Sequence, residues 1–156
     1  MTPRRRDPMV GTYVDTCVLL SLFLNDTGFP AAEQWFLSQG NAPLWISHWV
    51  LVEFAAVVAL CVRRGALSEV RAGAIHAEFE CFRRERLGLL EPRGTEFLQA
   101  RQWLQELGSL PLRSGDALHL AIASREVLVL ATADQALIRV AAALGLSHHA
   151  IGNPLV

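Results

Sequence analysis

Five aspartates occur in the 156 residues, and three of them, Asp15, Asp116 and Asp134, fall where a strand gives way to a helix or where a helix begins. Ligands of open parallel sheets sit beyond the carboxyl ends of the strands, so Asp15 and Asp134 are placed to share one crevice. Each has a plainer reading as well. Asp15 and Asp134 can cap the helices that follow them, and Asp116, two residues after Ser114, is a first-turn acid of the kind the helix dipole favours. Glu53 is different, because Val50, Leu51, Val52, Phe54, Ala55, Ala56 and Val57 surround it in mid-helix with no solvent face evident. An isolated buried carboxylate is costly unless it is paired or bound to a cation. The structural alternative is an ion pair with Arg125 or Arg101.

If these four acids converge, repulsion dictates what accompanies them: two unit charges at ~4 Å cost about 4 kcal/mol even at an effective dielectric of ~20. A cation is required. All-oxygen ligands suit Mg²⁺ or Mn²⁺ rather than zinc, and the sequence holds no Cys-x-x-Cys or His-Glu-x-x-His ligand set. Such a cluster fits metal-assisted hydrolysis of a phosphodiester. Other chemistries are excluded by composition. All 14 basic residues are arginine, which removes Schiff-base catalysis, P-loop phosphate binding and receiver-domain phosphorelay, each of which needs a lysine amine. A phosphatase of haloacid-dehalogenase type needs a second aspartate that Asp15-Thr16-Cys17 lacks.

The elements that must position these acids alternate. Thr12-Tyr13-Val14 is a short β-favouring run, followed by a helix over Val18 to Leu24 that Asn25-Asp26-Thr27-Gly28 stops. Pro30 opens a second helix with Ala31, Ala32, Trp35 and Phe36 in helical spacing. Leu44-Trp45-Ile46 is a strand, and Ser47 can cap a helix from Trp49 to Val62 that is apolar all round and therefore belongs in the core. Ser68 caps another helix, carrying Ile75, Phe79 and Phe82 on one face. A weak strand at Leu87 to Glu91 precedes a helix that Thr95 can cap, with Phe97, Ala100, Leu104 and Leu107 as its apolar stripe. Ser114 caps a helix through Ser124, Val127 to Ala131 is of strand type, Gln135 to Leu144 is helical, and a last strand spans Ser147 to Ile151. Alternation without tight hairpin signals implies parallel strands and right-handed crossovers, so a three-layer α/β/α sandwich with a mostly parallel sheet is expected.

Length predicts one domain, with residues 1–9 as a basic leader and 10–156 as the folded unit. Apolar residues make up 52% and charged residues 19%, ample for a core and too little charge for disorder. Cys17, Cys61 and Cys81 are odd in number and set in apolar contexts, reading as reduced core residues of a cytoplasmic protein. No membrane role is expected: Asp15 interrupts the apolar stretch after Arg4-Arg5-Arg6, and Glu53 lies inside the other long one, at ~3 kcal/mol for a central carboxylate. The formal net charge of −1 leaves nucleic-acid binding to local clusters. Arg63-Arg64, Arg83-Arg84-Arg86 and Arg113 are the RNA-contact candidates, Arg113, just before the Asp116 helix, foremost among them. Trp35, Trp45 and Trp49 read as packing residues, and His119 as a packed or hydrogen-bonded histidine rather than a base.

Four stretches together resemble the PIN domain: Tyr13 to Leu20, Ile46-Ser47 followed by Glu53, Ser114-Gly115-Asp116-Ala117-Leu118-His119-Leu120-Ala121, and Thr132-Ala133-Asp134 through Leu137. More narrowly, the chain is similar to VapC-type toxins from Gly11 to about Pro154. The resemblance implies a ribonuclease in which Asp15, Glu53, Asp116 and Asp134 hold Mg²⁺ or Mn²⁺, with Thr16 and Thr132 in support. It also implies a homodimer and a small cognate antitoxin that blocks the site, the two proteins forming a type II toxin-antitoxin pair. The alternative from a different class is a non-catalytic RNA-binding or assembly module on the same fold.

Overall fold

The computed structural model describes residues 10–152. The basic leader expected over residues 1–9 lies outside these residues, as do positions 153–156 of the expected folded unit. Five strands, β1 (Thr12–Val14), β2 (Leu44–Ser47), β3 (Gly88–Leu90), β4 (Val129–Thr132) and β5 (His148–Ala150), form one sheet in the order β3-β2-β1-β4-β5. Every pairing is parallel, as in Tyr13 opposite Trp45 on one side and Leu130 on the other. The helices are α1 (Thr16–Leu24), α2 (Phe29–Ser38), α3 (His48–Arg63), α4 (Glu69–Arg86), α5 (Gly94–Glu106), α6 (Ser114–Arg125) and α7 (Gln135–Ala143).

The chain enters at the centre of the sheet, works outward to β3, then crosses back to β4 and β5. Right-handed crossovers put the helices that follow β1 and β2 on one face and those between β3 and β5 on the other, which gives the expected three layers. Winding therefore reverses between β1 and β4, and a crevice opens beyond their carboxyl ends. Tyr13, Val14, Ile46, Leu130 and Ala131 are fully buried in the central strands. Beneath α1, a ring cluster joins three helices: Phe54 stacks on Phe79 with centroids 4.0 Å apart, and Phe23 meets both edge-on. None of the helices among the described residues is long and apolar enough to cross a membrane.

Several expectations need correction. Helix α3 is not buried all round: Val50, Phe54 and Val58 face the core, while Val52 is 57% exposed. Its outer face is made of small apolar residues, which periodicity alone cannot distinguish from an inner one. The buried side of α5 is Glu96 and Ala100, and Phe97, expected in its stripe, is 54% exposed. That helix begins at Gly94 with Arg93 as its cap residue, not Thr95. Ser114 is the first residue of α6 rather than its cap, which is Arg113. Ser47 does occupy the cap position of α3, but its hydroxyl makes no cap bond and turns inward. The three cysteines are free, yet Cys81 is exposed and the other two are only partly buried.

Candidate active site

Each acid reaches the crevice by a different local route. Asp15 has extended backbone dihedrals at the start of α1, and its Oδ1 accepts the Thr16 N–H at 2.8 Å. Its Oδ2 accepts the Thr132 hydroxyl at 2.7 Å and the Cys17 thiol at 3.3 Å. Asp134 caps α7 in the same manner, Oδ1 accepting the N–H groups of Ala136 and Leu137 at 2.9 and 3.1 Å. Capping and a place in the crevice are competing readings of these aspartates; the geometry reconciles them, because both cap their helices and still line the cleft, Asp134 with its Oδ2 turned to Arg113. Asp116 lies in the first turn of α6. Glu53 lies in the second turn of α3, its Oε1 accepting the Thr16 hydroxyl at 2.7 Å and a short hydrogen bond from His119 Nε2.

All four carboxylates line one cleft of about 380 Å³, together with Thr16 and Arg113. Thr132 stands behind Asp15 and also accepts the Asp134 N–H at 3.1 Å. The Arg113 guanidinium, 76% exposed, bridges the outer pair: Nε lies 3.3 Å from Asp116 Oδ2 and Nη2 2.9 Å from Asp134 Oδ2. Arg63 and Arg64 do not line the cleft. Arg63 is ten residues beyond Glu53 on the same helix, about 15 Å at ~1.5 Å per residue. Arg125, weighed as a partner for Glu53, pairs instead with Glu96, and Glu53 is left 29% exposed.

The electrostatics follow from this crowding. Burial, then the charges of Asp15 and Asp134, push the Asp116 carboxyl above its ordinary value. Burial acts on Glu53 in the same sense, but the bonds from His119 and Thr16 outweigh it and the carboxyl lies below its usual range. Burial would lower the His119 imidazole, yet the Glu53 bond and the charges of Asp15, Glu53 and Asp116 prevail and raise it. The Cys17 thiol is pushed up by burial and by Asp15, so it stays protonated beside the acids.

A divalent cation fits this donor set. Ligand atoms from Asp15, Glu53 and His119 lie within 4.8 Å of one another, and with His119 Nε2 engaged by Glu53 Oε1 the two carboxylates are the donors of this group left to an ion. Burial first, and then the charges of Asp15 and Asp134, raise the Asp116 carboxyl even with Arg113 beside it, and hard carboxylate oxygens suit Mg²⁺ or Mn²⁺. Sequence reasoning missed three neighbours. Gly115 is one: a Cβ there would stand 2.9 Å from Glu53 Oε2 and 3.3 Å from Trp49 Nε1. Tyr13 is another, and as the chain's one tyrosine, in a fully buried strand, its need for a hydroxyl partner was a usable signal. The third is Ser47, hidden by its aptness as a cap.

A family model described as the PIN domain matches residues 12–143. No curated protein matches the sequence. Among solved structures, VapBC2 from Rickettsia felis, bound to a DNA fragment from its promoter, aligns with a TM-score of 0.68 at 16% identity, covering 91% of this chain and 99% of that one. VapC20 of Mycobacterium tuberculosis, a sarcin-ricin loop cleaving toxin, aligns with a TM-score of 0.65 at 19% identity, covering 83% and 94%. FitAcB from Neisseria gonorrhoeae gives 0.65 at 20% identity, covering 88% and 95%.

Proposed function

This chain belongs to the PIN domain family, and from that premise we propose that it is a Mg²⁺- or Mn²⁺-dependent ribonuclease acting as the toxin of a type II toxin-antitoxin pair. The observation that carries the reading is the convergence of Asp15, Glu53, Asp116 and Asp134, from four separate segments, on one cleft that has a single arginine to offset them. When bound, the ion supplies Lewis acidity toward water and phosphate oxygens and the positive charge the acids lack. Asp15, Glu53, Asp116 and Asp134 would hold it.

The chain's own residues do the rest. Asp15 is fixed at both oxygens, Oδ1 by the Thr16 N–H and Oδ2 by Thr132 and Cys17, and Asp134 is fixed through Oδ1 by the N–H groups of Ala136 and Leu137, so both carboxylates are already oriented before an ion binds. Thr132 holds Asp15, and Thr16 holds Glu53. Arg113 is exposed and, among the described residues, is paired with Asp116 and Asp134. Once those acids are neutralised, its guanidinium is free to take a backbone phosphate of the RNA. Arg63 and Arg64, farther along α3, would meet RNA only at a distance from the scissile bond.

The same reading takes residues 10–156 as one catalytic unit working in the cytoplasm as a homodimer, its cleft blocked by a small antitoxin. Exposed Val52 on α3 with Phe97 and Leu98 on α5 are apolar surface available to a second copy. The test is incubation of purified, partner-free protein with mixed cellular RNA over a range of Mg²⁺ and Mn²⁺, beside Asp116→Asn. Metal-dependent cleavage that disappears in the variant is expected. RNA binding without cleavage by either protein would overturn the nuclease and leave an RNA-binding module.

A further inference from the structure

Three of the four acids can be held by simple means. Asp15 and Asp134 stand at helix N-termini, where unsatisfied backbone N–H groups are within reach, and Asp116 is in a first turn beside Arg113. Glu53 has no such help. It lies inside α3, where the neighbouring N–H groups are taken up by the helix itself, so its carboxylate must be oriented by side chains.

The side chains that do this belong to a line of polar atoms through the core. Ser47 Oγ lies 2.7 Å from the Tyr13 hydroxyl, which lies 2.7 Å from His119 Nδ1; His119 Nε2 then meets Glu53 Oε1 and lies 3.4 Å from Thr16 Oγ1. Ser47, Tyr13 and His119 are each fully buried. Buried polar groups cost free energy that an apolar core avoids, and a line that links β2, β1 and α6 to α3 is retained only where every member is paired.

We propose that His119 is a positioning residue for the acidic centre: with Thr16 it holds Oε1 of Glu53, so that Oε2 alone faces Gly115 and the cleft, while Tyr13 and Ser47 fix the imidazole. This rests on the metal-nuclease reading and names how that site is kept in register. The proton accounting closes. With Glu53 ionised, Nε2 carries the hydrogen that Oε1 accepts; Nδ1 accepts from Tyr13, and the Tyr13 oxygen accepts from Ser47. If the ring carries a second proton, Nδ1 donates to the Tyr13 oxygen and Tyr13 turns to donate to Ser47. In both arrangements Nε2–H remains on Glu53, so the carboxylate keeps its orientation. Gly115 completes the device, because a side chain there would press on Oε2 while Oε1 is held and unable to give.

The experiment measures Mn²⁺ affinity by calorimetry, and thermal unfolding without metal, for the full chain and four variants. His119→Ala is expected to weaken Mn²⁺ binding by about 10- to 100-fold, the range seen when a partner that orients a metal ligand is lost. His119→Gln, whose amide N–H can reach Oε1, is expected to recover most of that loss. Tyr13→Phe keeps the ring volume and removes only the hydroxyl; about a 3- to 10-fold weakening is expected. It decides the matter even if His119→Ala does not fold. A residue that only fills the core would lower the unfolding temperature and leave the Mn²⁺ constant unchanged. Asp116→Asn separates the two levels of argument. If it loses Mn²⁺ while Tyr13→Phe and His119→Gln stay within about twofold of the parent and His119→Ala, where folded, does too, the positioning role is overturned and the metal site stands. If the parent takes up no Mn²⁺, both fall together.

Discussion

Glu96, between α5 and α6, and Glu53, at the cleft, are both carboxylates drawn away from water, and they differ in what their oxygens are left to do. Glu96 is 2% exposed and has both oxygens committed to its own scaffold: Oε2 accepts the Arg93 N–H at 2.7 Å, and Oε1 forms an ion pair with Arg125. Glu53 has one oxygen held by Thr16 and His119 and the other turned to the cleft beside Gly115. Burial therefore does not mark a carboxylate as functional. The two glutamates differ in whether an oxygen is left over once the fold has been satisfied, and a full cationic partner, as at Glu96, removes it.

The contrast breaks most visibly if the two glutamates are exchanged for their amides. Glu53→Gln is expected to lower RNA cleavage by on the order of a thousandfold, since several kcal/mol of transition-state stabilisation go with the ion and each ~1.4 kcal/mol is a decade. Its unfolding in urea should shift to lower concentration, though less than for Glu96→Gln, because the bonds from His119 and Thr16 favour the ionised carboxylate in the native state. Glu96→Gln leaves Arg125 with Glu126 alone at 2.8 Å, and is expected to cost about 3 kcal/mol of stability while cleavage per folded molecule is unchanged. The reverse pattern would end the comparison. Gly115→Ala sharpens it: alanine is the better helix former by up to ~1 kcal/mol, so stability should hold or rise, while pressure on Glu53 Oε2 lowers cleavage by about tenfold. An equally active variant would show that this carboxylate has room to move.

The smallest effect concerns Asp116, whose carboxyl is raised by burial and by its acidic neighbours. A group with a raised folded pKa favours the native state at low pH, and that contribution is lost as pH rises through the folded value. In metal-free protein at pH 7, Asp116→Asn should therefore be more stable by about 1 kcal/mol, a melting shift of ~2–4 °C. The gain should fade below pH ~4, where aspartate is protonated in both states. Saturating Mn²⁺ should reverse it by stabilising the parent. Calorimetric melting curves across pH, with and without the ion, check each part.

The alternation of strands and helices, the position of Asp15 and Asp134 at strand ends and that of Asp116 at a helix start were legible because all are local matters: periodicity, breakers and caps. The inward side of α3 was not, because a helix apolar on every side gives no direction, and Val52 ended in solvent. Phe97 misled in the opposite way, being apolar yet outside the buried side of α5, where Glu96 took an inner place because Arg125 on α6 could meet it. Partners of that kind are set by how two helices dock, which no spacing encodes. His119 was read as hydrogen-bonded, and it is; what the sequence withheld was that its partners are Tyr13 and Glu53.

The strand order carries a consequence for the timing of synthesis. The cleft opens where β1 lies beside β4, and most of the chain is made between these two strands. A ribosome that has completed β1, β2 and β3 holds a nascent chain bearing Asp15 and Glu53 but neither Asp116 nor Asp134, with the inner edge of β1 still unpaired. The centre closes in one late event, when β4 enters the sheet and brings the start of α7 with it. If the cleft cuts RNA as proposed, a chain that stops before β4 lacks Asp134, and the cell meets the hazard only in molecules that have passed that point, where a waiting partner can bind each one as it forms.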